Sequence, residues 1–233
     1  MMRRARLAAR KGLMAMGIAL LWAALAASVQ AGETTDRVKG ELDRTSAVVK
    51  DPALQGTAKE EERKARVKEM IFRWFDVKEM ARRSLGGNWA TRSEQERRDF
   101  VELFGDLFVE SYTRLVVDHL ADQRVIYLSE AVDGQLATVK TKFLSKRDDP
   151  TFVDFALFRR DGAWAAYDVV IDDVSILGNY RTQFNKIIHT QSYEALVKKM
   201  RLKRSRRGWE RQRRVHSSAA HLSRFGFLGP APR

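Results

Sequence analysis

Three aspartates, a tyrosine and an arginine lie close together in an otherwise apolar segment, YDVVIDDVSILGNYRTQF at residues 167–184. Paired carboxylates can divide the work of a general acid and a general base, so Asp168, Asp172 and Asp173 are the candidates for catalysis in this chain. The same residue type also suits the junction between a strand and a helix. There, acceptor side chains cap the free N–H groups of the first helical turn.

The sequence around the acids favours the structural role. Asp172 and Asp173 fall where a strand gives way to a helix, and no histidine or nucleophile lies nearby in the sequence. We therefore predict capping and turn roles for these acids, and keep an acid–base pair built on Asp168 or Asp172 as the alternative. Alternation along the strand predicts two faces: Tyr167, Val169 and Ile171 on one, and Trp164, Asp168 and Val170 on the other.

Arg181 has two readings. It can pair with Asp172 or Asp173 and fix the bend between strand and helix, which we favour. It can instead contact a lipid phosphate, since the arginine fork suits bidentate phosphate binding.

Other chemistry finds little support in the sequence. The chain has no cysteine, no G-x-S-x-G elbow and no glycine-rich phosphate loop after a strand. The histidines do not lie at metal-ligand spacing: His119, His189, His216 and His221. We therefore predict a protein that is not an enzyme and that uses no cofactor or metal.

The N-terminus has the three-part layout of a secretory signal peptide at residues 1–31. Five basic residues precede an apolar run that ends in a small-x-small pattern, Val29-Gln30-Ala31. The run of about fifteen residues is shorter than the roughly twenty that a membrane-spanning helix needs. The mature chain is therefore expected to begin near Gly32 in the periplasm, with an uncleaved N-terminal anchor as the alternative.

The net charge of +13 is concentrated at the two ends of the chain. Five positive charges lie in the first eleven residues and a net of eleven lies after Val197, so the rest is slightly acidic. A nucleic-acid-binding domain would carry its charge on a folded face, and we predict no nucleic-acid partner. We predict that residues 204–233 form a basic, disordered tail, either solvated or in contact with anionic lipid headgroups.

Residues 32–203 form the predicted domain, in which helices come first, strands second and helices last. Ser93 and Glu96 predict a capping box at the start of the longest helix, whose apolar residues recur at helical spacing. Two pairs of strands follow, each joined at an Asp-Gly turn. The fold class is therefore predicted as α+β: a curved antiparallel sheet of about four strands packed against a helical bundle, in a single domain with an apolar cavity between the layers.

Two motifs carry a resemblance to a known family. FDVKEMARRSLGGNWATRSEQERRDFVELFGDLFVESY, and then WAAYDVVIDDVSILGNYRTQFNKII, resemble the MlaC-type family of periplasmic phospholipid carriers, also called toluene-tolerance auxiliary proteins. The resemblance extends over residues 50–203, and its second motif is the more specific. The family's usual Gly-Val-Ser is replaced here by Asp173-Val174-Ser175.

The resemblance implies a soluble, monomeric shuttle that binds phospholipid as its ligand. It also implies two partners, an outer-membrane lipoprotein complex and an inner-membrane ABC transporter with an MCE-domain ring. The acyl chains would insert between the two layers of the fold, with the headgroup near solvent. Exposing the roughly thirty methylenes of a two-chain phospholipid costs about 25 kcal/mol, so such a carrier needs a long apolar slot.

The candidate slot residues lie on the long helix, the sheet and the last helices. They are Trp89, Phe100, Phe104, Phe108, Tyr112, Val139, Phe143, Phe155, Leu157, Tyr167, Val169, Ile171, Tyr180 and Phe184. The same residues can also form an ordinary filled core. Three alternatives stay open at this point: a carrier of another apolar ligand such as a hopanoid, an enzyme with an apolar substrate, and a nucleic-acid or membrane-surface binder that acts through the basic tail.

Overall fold

The computed structural model describes residues 32–145 and 149–214, with 206–214 as backbone alone. Within them the chain forms the α+β fold that the sequence predicts, a curved antiparallel sheet packed against a helical bundle. The predicted signal peptide, the end of the basic tail and residues 146–148 lie outside the described residues.

The helices follow the predicted order. They are α1 (Glu33–Lys50), α2 (Glu60–Trp74), α3 (Val77–Leu85), α4 (Glu94–His119), α5 (Ile176–Thr190) and α6 (Tyr193–Arg214). The predicted capping box is present at α4: Ser93 accepts from the N–H of Glu96 at 3.2 Å, and Glu96 accepts from the N–H of Ser93 at 2.7 Å. Two N–H groups of the first turn are thereby satisfied.

The sheet has five strands in the order of the chain. They are β1 (Arg124–Asp133), β2 (Leu136–Leu144), β3 (Thr151–Arg160), β4 (Ala163–Ile171) and β5 (Val174–Ser175), and each neighbouring pair is antiparallel. The fifth strand has two residues and extends the predicted four. Both predicted hairpins form. In the second, Asp161 and Gly162 have φ of 51° and 81°, as a two-residue turn that matches strand twist requires.

A bulge in β4 makes the predicted division of its faces wrong. Ala156 pairs with Asp168 and the next residue, Leu157, pairs with Ala166, so Tyr167 has no partner on β3. The extra residue shifts the alternation by one. Trp164 therefore shares the helix-facing side with Val169 and Ile171, instead of lying with Asp168 and Val170.

The N-terminus of α1 is held by a side chain of the sheet that the sequence did not single out. The carboxylate of Glu130 on β1 accepts hydrogen bonds from the N–H of Gly32 at 2.6 Å and from that of Thr35 at 2.9 Å. Burial raises the pKa of Glu130, but the hydrogen bonds from Gly32 and Thr35 outweigh it and lower the pKa. Glu130 thus fixes α1 across the β1–β2 end of the sheet.

The last helix is longer than predicted. The spacing predicts a helix that ends near Leu202, whereas the backbone of α6 remains helical to Arg214. Within it, Arg204 lies 3.1 Å from Asp106 and 3.7 Å from Glu102 of α4. The domain boundary at residue 203 and the disorder of the tail stay predictions.

Candidate functional site

A chain of aromatic rings connects the sheet to the helices. The ring of Phe155 on β3 lies 5.1 Å from that of Trp74, at the end of α2. Trp74 lies 5.1 Å from Phe75, and Phe75 lies 5.2 Å from Phe108 of α4. We call the space between the sheet and the helices, which these four rings cross, the interlayer.

The rings continue through the helical bundle. On α4, Phe108 stacks with Phe104 at 6.1 Å, and Phe104 stacks with Phe100 at 6.1 Å. From α5, the rings of Tyr180 and Phe184 meet Phe104 at 5.3 Å and 6.3 Å. The aromatic stripe of α4 therefore contacts the rings of the interlayer at Phe108 and the rings of α5 at Phe104.

All fourteen candidate slot residues belong to this core or pack against it. Eight are buried: Phe100, Phe104, Phe108, Val139, Phe155, Leu157, Val169 and Phe184. Six are partly buried: Trp89, Tyr112, Phe143, Tyr167, Ile171 and Tyr180. Trp89 lies apart from the sheet, in the turn before α4, where its ring is 5.5 Å from the guanidinium of Arg97. That these residues bind lipid stays a prediction.

The interlayer is closely packed in this structure. Val139 and Leu157, on the sheet side, are 0% exposed, and Phe104 on the helix side is 1% exposed. An acyl chain could therefore enter only if the two layers moved apart or their side chains rearranged, because protein interiors have few voids of that size.

Two indole N–H groups are buried without an acceptor. Trp74 is 6% exposed and Trp164, on the helix-facing side of β4, is 3% exposed. Neither Nε1 finds a hydrogen-bond partner in the part of the chain that the structure describes. A buried donor without a partner is costly and uncommon. The Trp74 ring lies in the interlayer, and Trp164 is on the face of β4 that borders it.

The acids at the bend have structural partners. Asp168 accepts from the N–H of Val169 at 2.8 Å, from the N–H of Leu177 at 2.9 Å and from the hydroxyl of Ser175 at 2.5 Å. Ser175 in turn caps α5 by accepting from the N–H of Gly178 at 2.7 Å. The capping role thus falls to Ser175 and Asp168, and not to the two acids that follow the strand.

Those two acids form the turn after β4. Asp172 and Asp173 have φ of 45° and 65°, and Asp172 accepts from the N–H of Phe152 at 2.9 Å. Among the described residues, no ion pair joins Arg181 to either aspartate. The guanidinium of Arg181 lies instead against Gly86, so the favoured pairing at the bend does not form.

Sequence reasoning missed part of the interlayer. Phe75 was not a candidate, although its ring joins Trp74 to Phe108. Its backbone also bridges to Ala166 of β4, and the next N–H, of Asp76, donates to the carbonyl of Ala166 at 2.8 Å. A Trp-Phe pair that ends an amphipathic helix is a signal that could have identified these residues.

Within residues 32–145 and 149–214, no group of three or more acidic or histidine side chains could hold a metal ion. In the same part of the chain, no helix has both the length and the apolar composition needed to cross a bilayer.

The fold and its apolar interlayer define an α+β protein in which a curved sheet closes on a helical bundle. The model of the MlaC protein family matches residues 39–202, and the chain belongs to this family. No curated protein matches the sequence.

Among solved structures, the fold is similar to that of a phospholipid-binding protein from Ralstonia solanacearum, determined in complex with a phospholipid at 1.53 Å. The two chains are 19% identical, with a TM-score of 0.60 over 72% of this chain and 95% of the other. At this identity the likeness concerns the fold.

Proposed function

We propose that this protein is a phospholipid-binding carrier that works in the periplasm without catalysis. The lipid's acyl chains lie in the interlayer, between the sheet and the aromatic stripe of α4. The protein moves phospholipid between an outer-membrane lipoprotein complex and an inner-membrane transporter of the MCE/ABC type. Membership of the MlaC family and the likeness to a phospholipid-binding protein support this proposal.

The observation that carries the proposal is the pair of unpartnered indole N–H groups beside the aromatic interlayer. A purely structural core would leave Trp74 and Trp164 with the full cost of two buried donors. A phospholipid supplies alkyl chains that can pack against the aromatic rings, and ester carbonyls that can accept hydrogen bonds from the indoles.

Catalysis by the acids of the bend has less support. The Asp168 carboxylate accepts three hydrogen bonds and Asp172 accepts one from the backbone. Both carboxylates therefore serve the strand-to-helix junction.

Mass spectrometry of the intact secreted protein tests the proposal. Protein purified from the periplasm without detergent is expected to carry one phospholipid, seen as a mass that disappears after organic extraction. The extracted, refolded protein should take up a fluorescent phospholipid from vesicles. Folded protein that neither carries nor takes up phospholipid would contradict the proposal. A bound hopanoid would mean that the ligand is not a phospholipid, although the interlayer would still be the binding site.

A further inference from the structure

A polar cleft of about 420 Å³ opens outside the interlayer, between α3, the glycine pair after it and the first turn of α5. Its lining includes three arginines and two glycines: Arg82, Arg83, Arg181, Gly86 and Gly87. The rest of the lining comes from the strand-to-helix junction: Asp168, Ser175, Leu177 and Gly178.

One carboxylate orients two of the arginines. Glu79 accepts from Arg82 at 2.7 Å and 2.8 Å and from Arg83 Nε at 2.7 Å. The hydrogen bonds from Arg82 and the one from Arg83 lower the pKa of Glu79 to about 2. Burial acts in the opposite direction and is outweighed. The carboxylate of Glu79 thus faces two guanidinium groups, and the three side chains together keep a net positive charge.

Arg83 and Arg181 keep donors free. The guanidinium of Arg83 lies over the ring of Tyr167 at 4.1 Å, which fixes its plane. In the described ranges, neither terminal nitrogen of Arg83 and no nitrogen of Arg181 has a protein acceptor. These groups, together with Nη1 of Arg82, are the guanidinium nitrogens of the cleft that have no acceptor among the described residues.

Gly86 makes room for Arg181. Its φ of 55° is in the region that favours glycine. A Cβ at this position would lie 3.2 Å from Arg181 Nε, which is tighter than an ordinary contact. At Gly87 a Cβ would meet nothing within 4 Å, so the backbone on that side is open.

Asp168, the acidic residue of the cleft lining, forms no ion pair with these arginines among the described residues. The oxygens of Asp168 are occupied by Val169, Ser175 and Leu177, and Ser175 receives the N–H of Gly178. The first-turn N–H groups of Leu177 and Gly178 are satisfied in this way. An anion in the cleft would therefore be bound by the guanidinium groups.

The apolar core borders the cleft, because Leu177 of the cleft lining belongs to that core. Tyr167, under Arg83, packs against the core, and Tyr180, the neighbour of Arg181 in the chain, has its ring 5.3 Å from that of Phe104. We propose that this cleft is a phosphate-binding site, in which Arg83 and Arg181 bind the oxygens of one phosphate group. As a site for the phosphate of a lipid headgroup, it rests on the proposed function.

The lipid arm of the test compares two ligands that differ in the phosphate alone. The affinities of a short-chain phosphatidic acid and of the diacylglycerol with the same chains are measured for the wild type, Arg181→Gln and the control Arg98→Gln. Arg98 is exposed on α4, does not line the cleft, and among the described residues its side chain bonds Gln95 alone. We expect Arg181→Gln to lower the preference for the phospholipid by about tenfold and Arg98→Gln to leave it unchanged.

The second arm uses inorganic phosphate and follows the backbone amide signals of Gly86 and Gly87 by NMR. If free phosphate is the ligand, these signals shift in the wild type and not in Arg181→Gln, while the lipid preference is the same in all variants. An unchanged lipid preference together with unmoved glycine signals would overturn the site. Failure of the wild type to bind either lipid would instead count against the proposed function, and the phosphate titration would still decide the cleft.

Discussion

At the scale of single residues, a substitution of Trp74 can distinguish two interpretations of the interlayer, a filled core and a lipid-binding site. Replacing Trp74 with Phe removes the unpartnered N–H but keeps an aromatic ring beside Phe155. The lost ring atoms cost stability, whereas the loss of an unsatisfied donor returns about 1–3 kcal/mol. We therefore expect the unfolding free energy of the lipid-free protein to change by less than about 1 kcal/mol.

Lipid affinity should respond differently to the same change. If the N–H donates to an ester carbonyl, Trp74→Phe weakens binding of an ester-linked phospholipid by about three- to tenfold, as the loss of one hydrogen bond does. Binding of the ether-linked phospholipid with the same chains should be unaffected. The ether-linked lipid is the matched control, because it lacks the ester carbonyls. Equal effects of Trp74→Phe on both lipids, measured by calorimetry, would exclude the carbonyl contact.

Glu79 gives the stability a defined pH dependence. Its pKa is lowered from 4.5 to about 2 in the folded protein by its hydrogen bonds with Arg82 and Arg83. A lowered folded pKa means that the contribution is complete above about pH 4.5 and is lost as the pH falls towards 2.

The matching experiment compares urea unfolding of Glu79→Gln and the wild type from pH 7 down to pH 3. The wild type should be more stable at neutral pH, and the difference should shrink below about pH 4.5. Glu69→Gln is the control, because Glu69 and its partner Arg73 are both exposed and such pairs contribute little. A difference that stays constant across this range would mean that Glu79 acts through packing and not through its charge.

At the scale of the elements, Gly105 sets how closely α2 and α3 approach α4. A Cβ at this position would lie 2.9 Å from Val77 Cγ1 and 3.3 Å from Phe72 Cε1. In an exposed helix, Gly→Ala stabilises by about 1 kcal/mol. Here we expect Gly105→Ala to lower the unfolding free energy by about 1–3 kcal/mol, because the crowded neighbours must shift.

Gly40→Ala is the control within another helix. Its Cβ would meet only the flexible end of Arg44, at 3.3 Å, so the gain in helix propensity should remain. Urea unfolding of both variants should therefore give changes of opposite sign. A stabilising effect at Gly105 would show that the contact between α4 and its neighbours is looser than described.

The elements themselves were largely predictable because their signals are local. The capping box at Ser93 and the two hairpin turns each depend on a few adjacent residues, and each forms, although the first turn consists of Gly134 and Gln135 instead of Asp133 and Gly134. The bulge at Tyr167 was not predictable from alternation, because an extra residue leaves no mark in one strand read alone. The contacts of Glu130 with Thr35 and of Arg181 with Gly86 could not be predicted either, since each depends on how segments that are distant in the sequence meet.

At the scale of the whole molecule, the proposed function requires that the sheet and the helices separate to admit acyl chains. Contacts across the interlayer would then be present in the lipid-free protein and absent in the loaded protein. Contacts inside the helical bundle would be the same in both. We therefore expect lipid loading to have different effects on substitutions of two equally buried leucines, Leu157 on β3 and Leu196 on α6.

Replacing either leucine with alanine should lower the unfolding free energy of the lipid-free protein by about 2–5 kcal/mol. At Leu157 the loaded protein should lose less, because the contacts that the substitution removes have already been exchanged for contacts with lipid. The rise in Tm on loading with phospholipid should therefore be larger in Leu157→Ala than in the wild type, and unchanged in Leu196→Ala. The same rise in Tm in all three proteins would mean that the lipid binds without parting the layers.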